Sequence, residues 1–281
     1  MSAASLSMRD ALYEAPGPKM RRRILAGTFA ALVLIAIGLA LVMRQFYVTG
    51  QLDPRYWKLF TRGTTWLFLA QGFLGTLGVA ATAGAISLAL GLVLMLGRIS
   101  KIGWLSLVSR LIIDFFRGVP SLLLIYFFFL VIPKYGIRMP SFWMITLPVA
   151  LAASGVLAEV FRAGVNAVPA GQTEAALSLG MGDAKIMAKI VLPQALRIVI
   201  PSLVSLLVVV VKDTTVAYVV SYPDLMQNAR VLISNYDALV STYFVVAIVY
   251  IIVNFAINQL SIHLARRGNA PIITKNTTNP V

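Results

Sequence analysis

Cysteine is absent from this chain, and histidine occurs once, at His263. Without thiols there are no disulfides, no thiolate metal ligands and no cysteine nucleophile, and the redox compartment stays open. His263 stands near Arg266 and Arg267 at the end of the last apolar run, an interfacial setting to which no function is assigned. Carboxylates are scarce as well: ten Asp and Glu face 24 Lys and Arg, and charged residues make up only 12% of the 281. No His/Asp/Glu cluster has metal-ligand or triad spacing, so neither a metal site nor catalytic residues are expected. Also missing is Gly-x-x-x-x-Gly-Lys-Ser/Thr, the phosphate loop of an ATPase. What is abundant is apolar, with 59% hydrophobic residues and a mean hydropathy of +0.86, more than a water-exposed surface can carry. The composition is that of a membrane protein.

The apolar residues fall in runs of about 20 or more, the length a helix needs to cross a hydrocarbon core about 30 Å thick. The expected fold is an all-α polytopic membrane bundle of about six transmembrane helices, over 24–43, 65–97, 111–132, 142–164, 198–222 and 239–265. The first run follows Lys19, Arg21, Arg22 and Arg23 and exceeds the roughly 7–15 residues of a secretory signal, so it reads as a retained anchor. The second is longer than one bilayer needs and either protrudes or begins at the interface. Lys and Arg in short loops set orientation. With both termini in the cytoplasm, fourteen lie inside (Arg9, Lys19, Arg21, Arg22, Arg23, Arg98, Lys101, Arg110, Lys185, Lys189, Arg197, Arg266, Arg267, Lys275) and seven outside (Arg44, Arg55, Lys58, Arg62, Lys134, Arg138, Arg230). A net charge of +14 spread along membrane edges in this way is topogenic, and no nucleic-acid partner is expected.

One long polar stretch interrupts the spans. It contains Glu174-Ala175-Ala176-Leu177-Ser178-Leu179-Gly180 and, ten residues on, Ile190-Val191-Leu192-Pro193. A short helix is expected over 171–179, then a turn at Gly180 and Gly182, since glycine enters conformations other residues avoid. Asp183 is placed to cap a second helix over 184–191 that Pro193 stops. The stretch resembles the EAA loop of importer permeases of the ABC superfamily, whose pattern is EAA, three residues, Gly, nine residues, Ile-x-Leu-Pro.

The flanks extend the resemblance over about 72–260. They look like the polar amino acid permeases of the histidine/glutamine/glutamate type at Gly75-Thr76-Leu77, at Phe116-Arg117-Gly118-Val119-Pro120 and at Ala158-Glu159-Val160-Phe161-Arg162-Ala163-Gly164. Val168-Pro169-Ala170-Gly171-Gln172, Leu192-Pro193-Gln194-Ala195-Leu196-Arg197 and Lys212-Asp213-Thr214-Thr215 continue it. That family usually has Thr at position 119 and a second Gly at 163; neither departure removes a charge. The stretch from Lys212 through Tyr222-Pro223, like the extra N-terminal span, most resembles glutamate-uptake permeases of actinobacteria. The resemblance implies a type I ABC importer transmembrane domain: a permease core over 65–265 with a cytoplasmic coupling loop over 165–197. Residues 1–64 would be a cytoplasmic tail, an extra helix and an extracellular segment, and 266–281 a cytoplasmic tail. It further implies that Glu174, Ala175, Ala176, Gly180 and Pro193 dock a separate ATPase. Two ATPase subunits binding ATP and Mg, a second permease, identical or homologous, and an extracellular solute-binding protein would complete the machine. The chain itself would hold no cofactor. Its place would be the plasma membrane of a bacterium and its cargo a polar amino acid, glutamate first, then glutamine or aspartate.

Ionisable residues inside spans are functional suspects. Asp114 and Arg117, and Glu159 and Arg162, are three apart on a helix and share a face, so each pair can neutralise itself or offer Arg117 and Glu159 to a substrate. Lys212 and Asp213 are adjacent, diverge by about 100° and need other partners. With Thr214 and Thr215 they line a substrate path or join helices. Together they offer both charges that an amino acid zwitterion presents. A transporter or channel driven by an ion gradient, with Glu159 or Asp213 as its ion site, is the alternative; it would have no use for an EAA helix.

Overall fold

The computed structural model describes residues 17–267; the tails at 1–16 and 268–281, with Arg9 and Lys275, lie outside the described residues. The regular elements among the described residues are all helical. The chain divides between Tyr56 and Trp57 into two units. The first carries α1 (Pro18–Val48), which buries none of its side chains and is apolar all round, as a lipid-facing span requires.

The second unit is a bundle around α2 (Gly63–Arg98), whose 36 residues run about 54 Å, well beyond one bilayer. Its most extensive partner is α5 (Ser141–Asn166). Small residues are prominent in that seam: Ala80, Ala83, Ser87 and Gly91 of α2 and Ala150 and Ser154 of α5 are all buried. Joining apolar helices in lipid brings no hydrophobic gain, so the seam depends on close backbone approach and dispersion, which small side chains permit. One apolar cluster centres on Val79, Ile125, Val149 and Val210, and a second on Met95, Ile113, Leu157 and Phe161.

The third expected span is broken. α3 (Gly103–Gly118) and α4 (Ser121–Tyr126) meet at a 97° bend. The cause is Pro120, whose ring pushes the preceding residue out of the helical region; Val119 is extended, at φ −86° and ψ 124°. α4 runs on through a π turn, Phe127–Val131, and a 3-10 turn, Ile132–Tyr135. Among the described residues, five helices are long and apolar enough to cross a membrane, and six if the bent pair counts as one span.

Two short helices, α6 (Ala170–Ser178) and α7 (Asp183–Ile186), occupy the polar stretch after α5. A π turn, Met187–Val191, then leads straight into α8 (Leu192–Asp213). Pro193 therefore opens a helix where the sequence suggested that it stops one: in the first turn its missing N–H is no loss. α8 passes into a 3-10 turn, Thr214–Val220. The next helix, α9 (Leu225–Tyr236), is absent from the sequence reading. Its signal is Asp224-Leu225-Met226-Gln227, a cap in which Asp224 Oδ1 accepts the Gln227 N–H at 2.7 Å. α9 rests on the first third of α2: Asn228 Nδ2 donates to the Phe68 carbonyl at 2.7 Å, and Thr76 Oγ1 accepts the Leu225 N–H at 3.1 Å. A Cβ on Gly75 would lie 2.4 Å from the Pro223 carbonyl oxygen, so only glycine fits there. α10 (Leu239–Arg267) packs against α8 and α9.

Candidate functional site

The α6–α7 segment is built to be seen from outside the bundle. Ala176 turns inward onto Ile186 and Val191, while Glu174 and Ala175 face solvent. Leu177 is half exposed and Leu179 is 82% exposed, an apolar pair with no cover. Gly180 makes the turn with φ +74°, a left-handed conformation that a side chain would strain. Gly182 is extended, not left-handed, and it is Gly182 that takes the cap position of α7. Asp183, expected as that cap, makes no cap bond; its carboxylate pairs with Lys101 in the α2–α3 loop. Between these elements lies a cavity of about 480 Å³, lined by Leu96, Lys101, Thr173 and Asp183 among others.

From there an ion-pair network enters the bundle. Arg98, at the end of α2, reaches Glu159 at 2.5 Å and Asp114 at 3.8 Å; Arg162 holds the other Glu159 oxygen at 2.8 Å, and Arg110 lies 3.7 Å from Asp114. Glu159 thus has the Arg162 partner that the spacing suggested, plus a second. Asp114 does not pair with Arg117, as the spacing allowed; Arg98 and Arg110 take it instead. Arg117 is left without an ion pair among the described residues.

The bend at Gly118-Val119-Pro120 decides where Arg117 goes. It carries Arg117 to the wall of a cavity of about 150 Å³ shared with Asp213, Ser121, Phe116, Val119 and Ala152. Counting 14 residues from Gly103, Arg117 is about 21 Å along α3, at its far end, and is exposed. Ser121, the first residue after the break, lines that cavity together with Asp213. Two opposite charges, neither in an ion pair among the described residues, so face one small cavity at a helix interruption, the setting in which discontinuous helices form ligand sites. Of the other residues the sequence singled out, Lys212 points to the exposed surface and Glu159 belongs to the ion-pair network. Thr214 is buried, donating to the Val211 carbonyl at 2.8 Å, and Thr215 donates to that of Lys212 at 2.7 Å. Ser121 was missed because serine after proline is ordinary helix-start sequence, and only the bend gives it a neighbour.

The chain as a whole has known relatives. Residues 87–268 match the family described as binding-protein-dependent transport system inner membrane component. The chain belongs to this family. Among its relatives, the permease is 33% identical over 231 residues to the glutamate transport system permease protein GluD of Corynebacterium glutamicum, covering 81% of this chain and 85% of that one. It is 34% identical to the probable glutamine ABC transporter permease protein GlnP of Bacillus subtilis (71% and 91% covered), and 33% to the octopine transport system permease protein OccM of Rhizobium radiobacter (82% and 96%). The permease also superposes on an amino acid ABC transporter solved with histidines, at a TM-score of 0.68 and 29% identity over 71% of this chain and 94% of that one. An inward-facing MetNI methionine transporter, at 0.63 and 18%, shares the fold. The permease is therefore a multi-pass subunit of an ABC transporter for amino acids, a class that works with an ATPase and a substrate-binding component. Nothing in these relatives favours the ion-gradient alternative.

Proposed function

We propose that this permease imports a polar amino acid, glutamate before glutamine or aspartate, by alternating access driven by a separate ATPase. One observation carries the reading: the cavity at the helix break, where the Arg117 guanidinium and the Asp213 carboxylate stand opposed. An amino acid zwitterion offers a carboxylate and an ammonium, and Arg117 and Asp213 can give a charge-assisted bond to each. The sequence reading gave the cationic part to Lys212; the geometry favours Arg117, which lines the cavity with Asp213 where Lys212 does not. At about 150 Å³ the cavity is below the usual range for ligand sites of about 300–1,000 Å³, as fits a state in which the path is closed and opens on ATPase cycling.

Coupling belongs to the other end. The exposed Glu174, Ala175, Leu177 and Leu179 form the docking face, held in shape by Ala176, Gly180 and the Pro193 junction. Two ATPase subunits bind ATP and Mg there, and this chain holds neither. A second permease, identical or homologous, and an external solute-binding protein complete the assembly in a bacterial plasma membrane, with both termini and the docking face in the cytoplasm. The family membership of the relatives named for glutamate and glutamine, with the two-to-one basic bias across loops, supports this arrangement.

The test is uptake by the assembled importer in vesicles, with ATPase and binding protein present. Arg117→Met and Asp213→Asn should each weaken transport of the amino acid by about 10- to 150-fold, the worth of one charge-assisted hydrogen bond. Basal ATPase should persist. Unchanged uptake in both variants would remove the cavity from the substrate path.

A further inference from the structure

At the end of the bundle away from α6, a larger cavity of about 590 Å³ opens between α4, the 3-10 turn after α8, and α9. It falls within the usual range of small-molecule pockets. Arg230 of α9 stands at its wall with its guanidinium 4.3 Å from the centre of the Tyr218 ring. Stacking of this kind fixes the plane of the guanidinium and leaves its edge N–H donors free to fork a carboxylate. No carboxylate pairs with Arg230 among the described residues. Gln227, Ser221, Ser234 and the ring of Tyr126 share the wall.

Ser221 supplies a second, independent sign. Its φ is +51°, the left-handed region that glycine occupies at little cost and other residues at some. The hydrogen bonds around it are those of a helix-ending motif, Ser221 N–H to the Tyr218 carbonyl at 3.1 Å and Tyr222 N–H to that of Ala217 at 3.3 Å, and glycine is the residue that motif favours. Serine there costs backbone strain and in exchange lines the cavity with a hydroxyl. Strain of this sort persists where the surroundings hold it in place, and it gathers at binding sites.

We infer that this cavity is an entry site for the side-chain carboxylate of an acidic amino acid, read by Arg230 and Ser221 before the substrate reaches Arg117 and Asp213. The inference rests on the amino acid import reading and adds to it the position where charge is selected. α9 sits on α2 near Thr76, and α2 ends at Arg98, just before Lys101 pairs with Asp183 of the α6–α7 segment. The 22 residues between those points span about 33 Å, so the cavity opens on the face opposite the docking face. The inner pair of charges recognises the groups that every amino acid carries. The outer one distinguishes glutamate from glutamine.

The experiment measures uptake of glutamate and of glutamine by the assembled importer, with wild type, Arg230→Gln, Arg230→Lys and Ser221→Gly. Arg230→Gln should raise the KM for glutamate about tenfold or more and leave that for glutamine within about twofold, at unchanged maximal rate. Arg230→Lys, which keeps charge and loses the planar fork, should fall between. Ser221→Gly should raise the thermal midpoint while weakening glutamate uptake, an outcome that a purely structural serine would not give. Equal loss for both amino acids in Arg230→Gln, together with weaker capture of the binding protein by the permease, would overturn the inference and make Arg230 a contact for an acidic side chain of that protein. So would an unchanged glutamate KM in Arg230→Gln. Failure of the wild-type assembly to take up any amino acid is a separate result, which removes the import reading and the entry site with it.

Discussion

Asp224 shows how much a single side chain contributes at the end of the bundle where α9 meets α2. It is fully buried between the fifth and sixth spans, one oxygen capping α9 and the other, Oδ2, with no hydrogen-bond partner among the described residues. Burial pushes its carboxyl up to about 6 from the usual 3.8, against the opposing pull of the Gln227 N–H. The folded state therefore holds the proton more tightly than the unfolded one. The stability this provides is full below about pH 4 and is lost as pH rises through about 6, by roughly 3 kcal/mol at 1.36 kcal/mol per unit. The thermal midpoint in detergent should accordingly be higher at pH 4.5 than at pH 7.5. Asp224→Asn keeps the cap and should flatten that difference; an undiminished pH slope in the variant would dismiss Asp224 as its source. Gly75, in the stretch that identified the family's long helix, has its reason here too. Gly75→Ala forces the Pro223 carbonyl away and should lower stability by about 1–3 kcal/mol, read as a lower midpoint at constant pH. Such reasons were not legible beforehand, because they depend on a segment that reads as a plain polar loop.

Among the elements, the long apolar runs were legible because lipid imposes a length and a composition on any helix that crosses it. α1, α2, α5 and α10 stand within a few residues of the expected bounds. What failed was reasoning about proline. Pro120 breaks a run that looked continuous, and Pro193 begins a helix that looked finished; the residue types were right, and their position relative to the first turn decided between the two outcomes. α9 was missed although its Asp-x-x-Gln cap was in view, since twelve residues of mixed polarity carry no membrane signal. The two short helices and the Gly180 turn of the EAA stretch were legible from spacing, but their fastening was not: Lys101 was counted as a topogenic charge, and only the fold sets it against Asp183. This pair yields a prediction at the same scale. Lys101→Glu or Asp183→Lys should leave the bundle assembled and lower substrate-stimulated ATPase severalfold, and the double swap should restore most of it. Additive losses in the double variant would show that the two residues act separately. Glu174→Lys and Gly180→Trp, by charge reversal and by bulk at a left-handed turn, should lower transport sharply at near wild-type expression, and normal uptake in both would end the docking role of α6.

For the molecule as a whole, the chain's lack of cysteine permits a direct check of orientation. A thiol placed at Ser178 should resist an impermeant reagent in intact cells, and one at Lys134 should react; the reverse pattern would put the docking face outside, away from ATP. If the arrangement holds, α2 has a mechanical part. It is one unbroken rod, clamped near one end by α9 through Gly75 and Thr76 and at the other by Arg98 to Glu159, with Lys101 just beyond gripping the α6–α7 segment. The clamps are about 35 Å apart, and swinging a rod of that length by about 10° carries its end roughly 6 Å, more than the rise of one helical turn. A push on the α6–α7 segment would thus arrive at the other end of α2 as a displacement large enough to pry α9 from its seat. α2 is a crowbar.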